Sequence, residues 1–146
     1  MVRHGIAVIG SANMDMVVVT RRFPEPGETV FGGQFGMFPG GKGANQAVCA
    51  AKLGGRVYFI GKMGRDVFRD KLVDSMKHDG VRLGRLTTDP RESTGIALIT
   101  VDRGGQNEID QPAGAKAITS ASAVMVGSKI LTSISAKSTS SISAVT

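Results

Sequence analysis

The sequence predicts an α/β layered core that carries a small β appendage. Three observations lead there. Short apolar runs ending in glycine, "GIAVIG" at 5–10 and "RVYFIGKMG" at 56–64, have the continuous hydrophobicity of buried parallel strands. Helix-like stretches at 44–53 and 66–79 alternate with them and stop on glycine. Then "STGIALITVDRGGQNEI", 93–109, reads as two strands around a Gly104-Gly105 hairpin turn.

Taken in order, "GIAVIG" is the first strand and "MVVVTRRF", 16–23, the second, closed by the turn chemistry of "PEPG". "ETVFGGQFGMF", 28–38, alternates loosely and reads as a curved or edge strand weakened by glycines. Ala44 to Leu53 is rich in helix formers and ends at Gly54-Gly55. Asp66 is an N-cap for the next helix, whose Phe68, Leu72, Val73 and Met76 form a core stripe before Gly80 stops it. From Thr119 onward the chain is Ser, Thr, Ala and Ile with no acidic residue. That low-complexity composition predicts loose order or partial helix.

With 146 residues the chain is long enough for one domain with a core. The net charge of +6 raises a nucleic-acid reading, but residues 1–115 hold 15 Lys/Arg and 12 Asp/Glu, leaving +3. The remainder comes from Lys116, Lys129 and Lys137, scattered and without an aromatic stacking platform, so nucleic acid is not expected as a partner. The apolar run near the N-terminus is too short for a signal peptide or membrane span. A single cysteine, Cys49, fits a reducing compartment, and a cytoplasmic location is expected.

The segment "FPGGKGANQAVCAAKLGG", 38–55, raises the chemical question. Gly36, Gly41 and Lys42 form most of a phosphate-binding G-x-x-x-x-G-K, yet Gly43 stands where that motif needs a hydroxyl for Mg²⁺. Pro39 also removes an N–H inside the loop. A dinucleotide fingerprint fails at Gln46. Missing Cβ atoms at Gly40, Gly41 and Gly43 would let backbone approach a small polar ligand, with the Asn45 amide beside it. A tight turn without any ligand is the competing reading.

Three stretches in order resemble the ribokinase/phosphofructokinase-B family of carbohydrate kinases. They are "VIGSANMDMV", then "FPEPGETVFGGQF" with "PGGKGANQAVCAAKLGG", and finally "STGIALITVDRGGQN" with "AGA". The resemblance covers about residues 5–115, which sets residues 1–115 as the N-terminal half of a family domain and 116–146 as a departing tail. It implies an α/β/α layered, Rossmann-like core, incomplete here, with a β-sheet lid closing over a sugar. On that resemblance Asn13 and Asp15 are sugar-hydroxyl partners at the end of the first strand. Gly41, Lys42, Gly43 and Asn45 are the sugar-binding turn, and Ala97 and Ile99 are apolar lid positions. Asp15 as a turn cap and Lys42 as a solvated charge stay open as alternatives.

The implied activity is ATP-dependent phosphorylation of ribose to ribose 5-phosphate, with Mg²⁺ on the phosphates, a monovalent cation in the full-length enzyme, and homodimers pairing through lid strands. The departures matter as much. Nothing here resembles the family's G-A-G-D motif, which supplies the catalytic base, so no catalytic or metal-binding residue is assigned in this chain. Lys129 stands near where the family has a sugar-binding acid, Arg69 replaces a glycine, and Lys116 replaces an asparagine. A truncated chain that binds sugar or pairs with other subunits, without catalysis, is the alternative expectation.

Overall fold

The computed structural model describes residues 5–112, 114, 122–127 and 129–133. In chain order the elements begin β1 (Ile6–Ile9), β2 (Asn13–Val19), β3 (Gln34–Gly40), α1 (Lys42–Lys52), β4 (Val57–Met63) and α2 (Val67–His78). They continue β5 (Arg82–Thr88), β6 (Gly95–Val101), β7 (Asn107–Asp110), β8 (Ser122–Val126) and β9 (Lys129–Ser133).

These strands make two sheets. The core sheet has the order β5-β4-β1-β8-β9 and the second, or lid, sheet the order β3-β2-β6-β7. Within the core sheet β1, β4 and β5 run parallel, Val8 lying beside Phe59. Alternation along β4 sends Val57, Phe59 and Met63 to one face, all fully buried. Both helices cover that face. From α1 come Ala44 and Ala47, and from α2 come Leu72 and Met76, in one cluster with Val8 and Phe59.

Local chemistry explains the helix ends. A carboxylate oxygen of Asp66 accepts from the Arg69 backbone N–H at 3.0 Å, so α2 starts where its N-cap predicts. Gly80, at φ 83°, follows its end. Helix α1 starts at Lys42, earlier than propensity suggests, because Gly41 at φ 95° takes the N-cap position and lets helical geometry begin immediately.

Three elements differ from expectation. Strand β5 gave no clear signal, since Arg82, Gly84 and Arg85 interrupt its Leu83 and Leu86, and its register against β4 shifts between Tyr58 and Ile60. Asn13 and Asp15 do not end the first strand. β1 stops at Ile9, and both residues lie in β2, the start of the other sheet. The tail, expected to be loose, contributes β8 and β9, an antiparallel hairpin in which β8 pairs with β1 and Val124 packs on the core. Val124, Met125 and Val126 before Gly127 form a short β-prone run that the Ser/Thr average concealed. Lys116 and residues 134–146 of the tail lie outside the described residues.

The opposite face of the core sheet carries Ala7, Ile9, Tyr58 and Ile60, with the Tyr58 ring between the guanidiniums of Arg56 and Arg82 at 5.9 and 5.5 Å. No described helix covers it. Parallel strands are ordinarily buried on both faces. The 146-residue chain is therefore expected to bind a hydrophobic dye or to self-associate. A sharp monomer peak by light scattering, no dye fluorescence and cooperative unfolding would show this face to be covered.

Candidate functional site

The site grows from a place where backbone crosses backbone. Residues 10–12 carry the chain from β1 in the core sheet to β2 in the lid sheet. The first turn of α1 lies against that link: the Ala44 N–H donates to the Ser11 carbonyl at 3.2 Å. A Cβ at Gly41 would sit 2.7 Å from Ala12 Cα, and one at Gly43 would sit 2.8 Å from Gly10 Cα. Sequence reasoning assigns those missing Cβ atoms to a ligand. The structure uses them for chain packing, which holds the helix N-terminus against the start of β2.

β2 opens on Asn13, which is 6% exposed, and its Oδ1 is buried with no hydrogen-bond partner. An unmatched buried carbonyl costs about 1–3 kcal/mol, so this atom is poised to accept from a ligand. Across the parallel pairing stands Gly95, where a Cβ would come within 2.5 Å of Asn13 Oδ1. Two residues on and facing the same way is Asp15. Its carboxyl is half-buried, and burial pushes it above the usual carboxylate range. Gly40 gives that carboxylate room, since a Cβ there would collide with it.

Register fills in the surroundings. Asp15 is flanked by Ala97 on β6 and Phe38 on β3, and Val17 by Ile99. Ala97, Ile99, Asn13 and Asp15 therefore share one face of the lid sheet. Met14, on the other face, is fully buried in the core. Lys42 and Asn45 lie exposed in the first turn of α1, and the Asn45 N–H donates to the Gly41 carbonyl at 2.9 Å. The partial positive charge of that helix end adds to the Lys42 cation.

The structure thus gathers Asn13, Asp15, Ala97 and Ile99 on one face, with the turn of Gly41, Lys42, Gly43 and Asn45 abutting the start of β2. Sequence reasoning missed Phe38, Gly40 as the neighbour of Asp15, and Gly95. An aromatic ring beside an exposed turn was the available signal for Phe38, which is 55% exposed. Among the described residues no three His, Cys, Asp or Glu side chains stand together as metal ligands, so this face by itself does not fit Mg²⁺.

The described residues thus form an α/β core sheet and a second β sheet that carries a polar pair on one face. The family model for pfkB family carbohydrate kinases matches residues 3–131, and the chain belongs to that family. The matched span runs past residue 115 into β8 and β9. The chain is 43% identical over 101 residues to ribokinase of Bacillus subtilis, covering 69% of this chain and 34% of that protein. It is 47% identical over 97 residues to ribokinase of Lactococcus lactis, covering 66% and 32%. The structure of Arabidopsis thaliana ribokinase complexed with ribose and ATP superposes with a TM-score of 0.69 at 38% identity, over 75% of this chain and 36% of that one. The chain spans about a third of the length of these curated relatives.

Because burial raises the Asp15 pKa, its charged form costs stability, and that cost appears as pH rises through the raised value. Asp15→Asn is expected to leave the melting temperature unchanged or raise it slightly at pH 7, with the gain disappearing below about pH 4. Thermal melts at both pH values check this. A variant clearly less stable than wild type at pH 7 would make Asp15 a structural residue.

Proposed function

We propose that the junction of the lid sheet and α1 binds ribose, and that the chain supplies the sugar-holding part of an ATP-dependent ribokinase forming ribose 5-phosphate. The observation that carries this reading is the pair Asn13 Oδ1 and the Asp15 carboxylate, two buried or half-buried acceptors on one face of β2. Sugar hydroxyls are donors that such acceptors take. Partial exclusion of water strengthens each bond they make. Ala97 and Ile99 supply apolar surface for the C–H side of the ring, and the Phe38 ring extends it.

The turn at Gly41 to Asn45 has a different part. Lys42 at a helix N-terminus suits the reacting end of the sugar, where negative charge from incoming phosphate would gather. ATP, Mg²⁺ and a monovalent cation are the cofactors this reading expects, in a cytoplasmic setting, with no residue of this face assigned to hold either cation. Mg²⁺ would supply charge neutralisation on phosphate. The residues of this face orient the acceptor hydroxyl and exclude water around it.

A second reading is favoured by the lid itself. Phe35 and Leu98 are 60% and 44% exposed on the lid face opposite Asp15, apolar surface suited to pairing with another lid. In this reading the 146-residue chain holds sugar and pairs through its lid without transferring phosphate, in keeping with the lack of a G-A-G-D sequence.

Calorimetric titration with ribose tests the site. Wild type is expected to bind, and Asp15→Ala to bind roughly tenfold to a hundredfold more weakly, the value of a charged hydrogen bond at about 1.5–3 kcal/mol. Equal affinities with a lowered melting temperature would remove Asp15 from the site.

A coupled assay tests the consequence that both readings share. The purified 146-residue chain is expected to give no ribose-dependent ADP above a heat-killed control. ADP formation above that control would overturn the sugar-holding reading in favour of a complete kinase.

A further inference from the structure

We propose that Asp66 is a positioning residue for the sugar site, acting through the root of the lid strand β6. The consequence for sugar rests on the ribose reading above, whereas the geometry behind it stands alone. Asp66 follows β4 and caps α2, one oxygen accepting from the Arg69 N–H at 3.0 Å. Its other oxygen, Oδ2, accepts from the Thr94 N–H at 2.7 Å. An N-cap needs one acceptor. The second is more than α2 requires, and it is aimed at another sheet.

What it holds is the residue before Gly95. Thr94 is 1% exposed, and its hydroxyl accepts from the Gly64 N–H at 3.1 Å. The contact is tight enough that a Cβ on Gly64 would lie 2.5 Å from the Glu92 carbonyl and 2.6 Å from the Ser93 carbonyl carbon. Just upstream, the Asp89 N–H donates to the Met63 carbonyl at 2.8 Å. The β5–β6 link is thereby laced onto the β4–α2 turn, from the core sheet to Thr94, the residue just before β6. Gly95 comes next, in register with Asn13 and close beneath Asn13 Oδ1. Any play at Thr94 becomes play in the gap that orients the Asn13 amide.

Burial pushes the Asp66 carboxyl up, but the amides of Thr94 and Arg69 outweigh it and hold the group below its ordinary value. The carboxylate is therefore charged where both bonds form, and each is a charge-assisted bond.

Asp66→Ser separates the two jobs. A serine hydroxyl caps a helix as well as a carboxylate does but is too short to reach both amides. In wild type and variant, amide hydrogen exchange and the Asn13 side-chain resonance are read by NMR without sugar, and ribose affinity by calorimetry. The expected result is Thr94 exchange at least tenfold faster, Arg69 and Asp70 exchange unchanged, a shifted Asn13 side-chain amide, and ribose affinity lowered about threefold to tenfold. Thr94→Ala, which removes the hydroxyl's contacts with Gly64 and Asp66 and keeps the Arg69 cap bond, is expected to shift the same Asn13 signal. Faster exchange at Arg69 and Asp70 to the same degree as at Thr94 would make Asp66 a helix cap and nothing more, overturning the proposal. So would a freed Thr94 with the Asn13 resonance unmoved. A wild-type chain that binds no ribose sinks the sugar reading alone, and the exchange and Asn13 signals then decide the role of Asp66 by themselves.

Discussion

The first turn of α1 rests directly on the link between β1 and β2, with no side chain between the two backbones. The virtual Cβ of Gly41 falls 2.8 Å from the Ser11 carbonyl oxygen and 2.9 Å from the Asn13 nitrogen. Alanine at either Gly41 or Gly43 would push against backbone, which has little freedom to yield. The crossing fixes where the chain leaves the core sheet, and hence where β2 begins. It also delivers the N-terminus of α1 to the same point. A polar residue at the start of β2 and a cation at the start of α1 become neighbours because two stretches of glycine let the chain pass that closely.

Core and lid sheets share no strand, so their relation depends on the loops that cross between them. One crossing is held by the glycines of α1. Another is held by polar groups, the lacing of Asp66, Thr94 and Gly64. Two carboxylates near these crossings have opposite environments. Asp66 sits among N–H donors, which favour its charge and lock it into structure. Asp15 is pushed up by burial, which disfavours its charge. That contrast is the physical basis for proposing a scaffold role for Asp66 and a ligand role for Asp15.

Legibility in the sequence followed how local each signal was. Helix α2 could be read because its cap, its apolar stripe and its terminal glycine all lie within one stretch of chain. The β6–β7 hairpin was readable from Gly104-Gly105 for the same reason, and Gly105 does take a positive φ of 79°. Strand β5 was not, because its two leucines gain meaning through the core they face. β8 and β9 were hidden by an average over a Ser/Thr-rich segment, whereas pairing with β1 depends on a few apolar residues. Of the proposed site, motif resemblance named the residues, and the face that Asn13, Asp15, Ala97 and Ile99 share came only from strand register. Placing Asn13 and Asp15 at a strand end was natural from "VIGSAN", yet the chain turns at Gly10 and starts another strand in another sheet.

That change of sheet bears on how the site is made. Its central pairing joins β2 to β6 in parallel, segments that β3, α1, β4, α2 and β5 separate along the chain. A parallel pair needs such a long connection, and its closure entropy is offset when the intervening core packs. The glycine turn, by contrast, is local to α1 and can form as soon as that helix docks. Asn13 meets Gly95 only across this long connection, with Thr94 bonded to Asp66 just before Gly95. The proposed binding face is consequently a product of tertiary order rather than of the G-G-K-G segment, and glycines from both β3 and β6 leave room for its acceptors. A site assembled this way is sensitive to residues that never touch the ligand, because a displacement at either crossing changes the separation of its two acceptors.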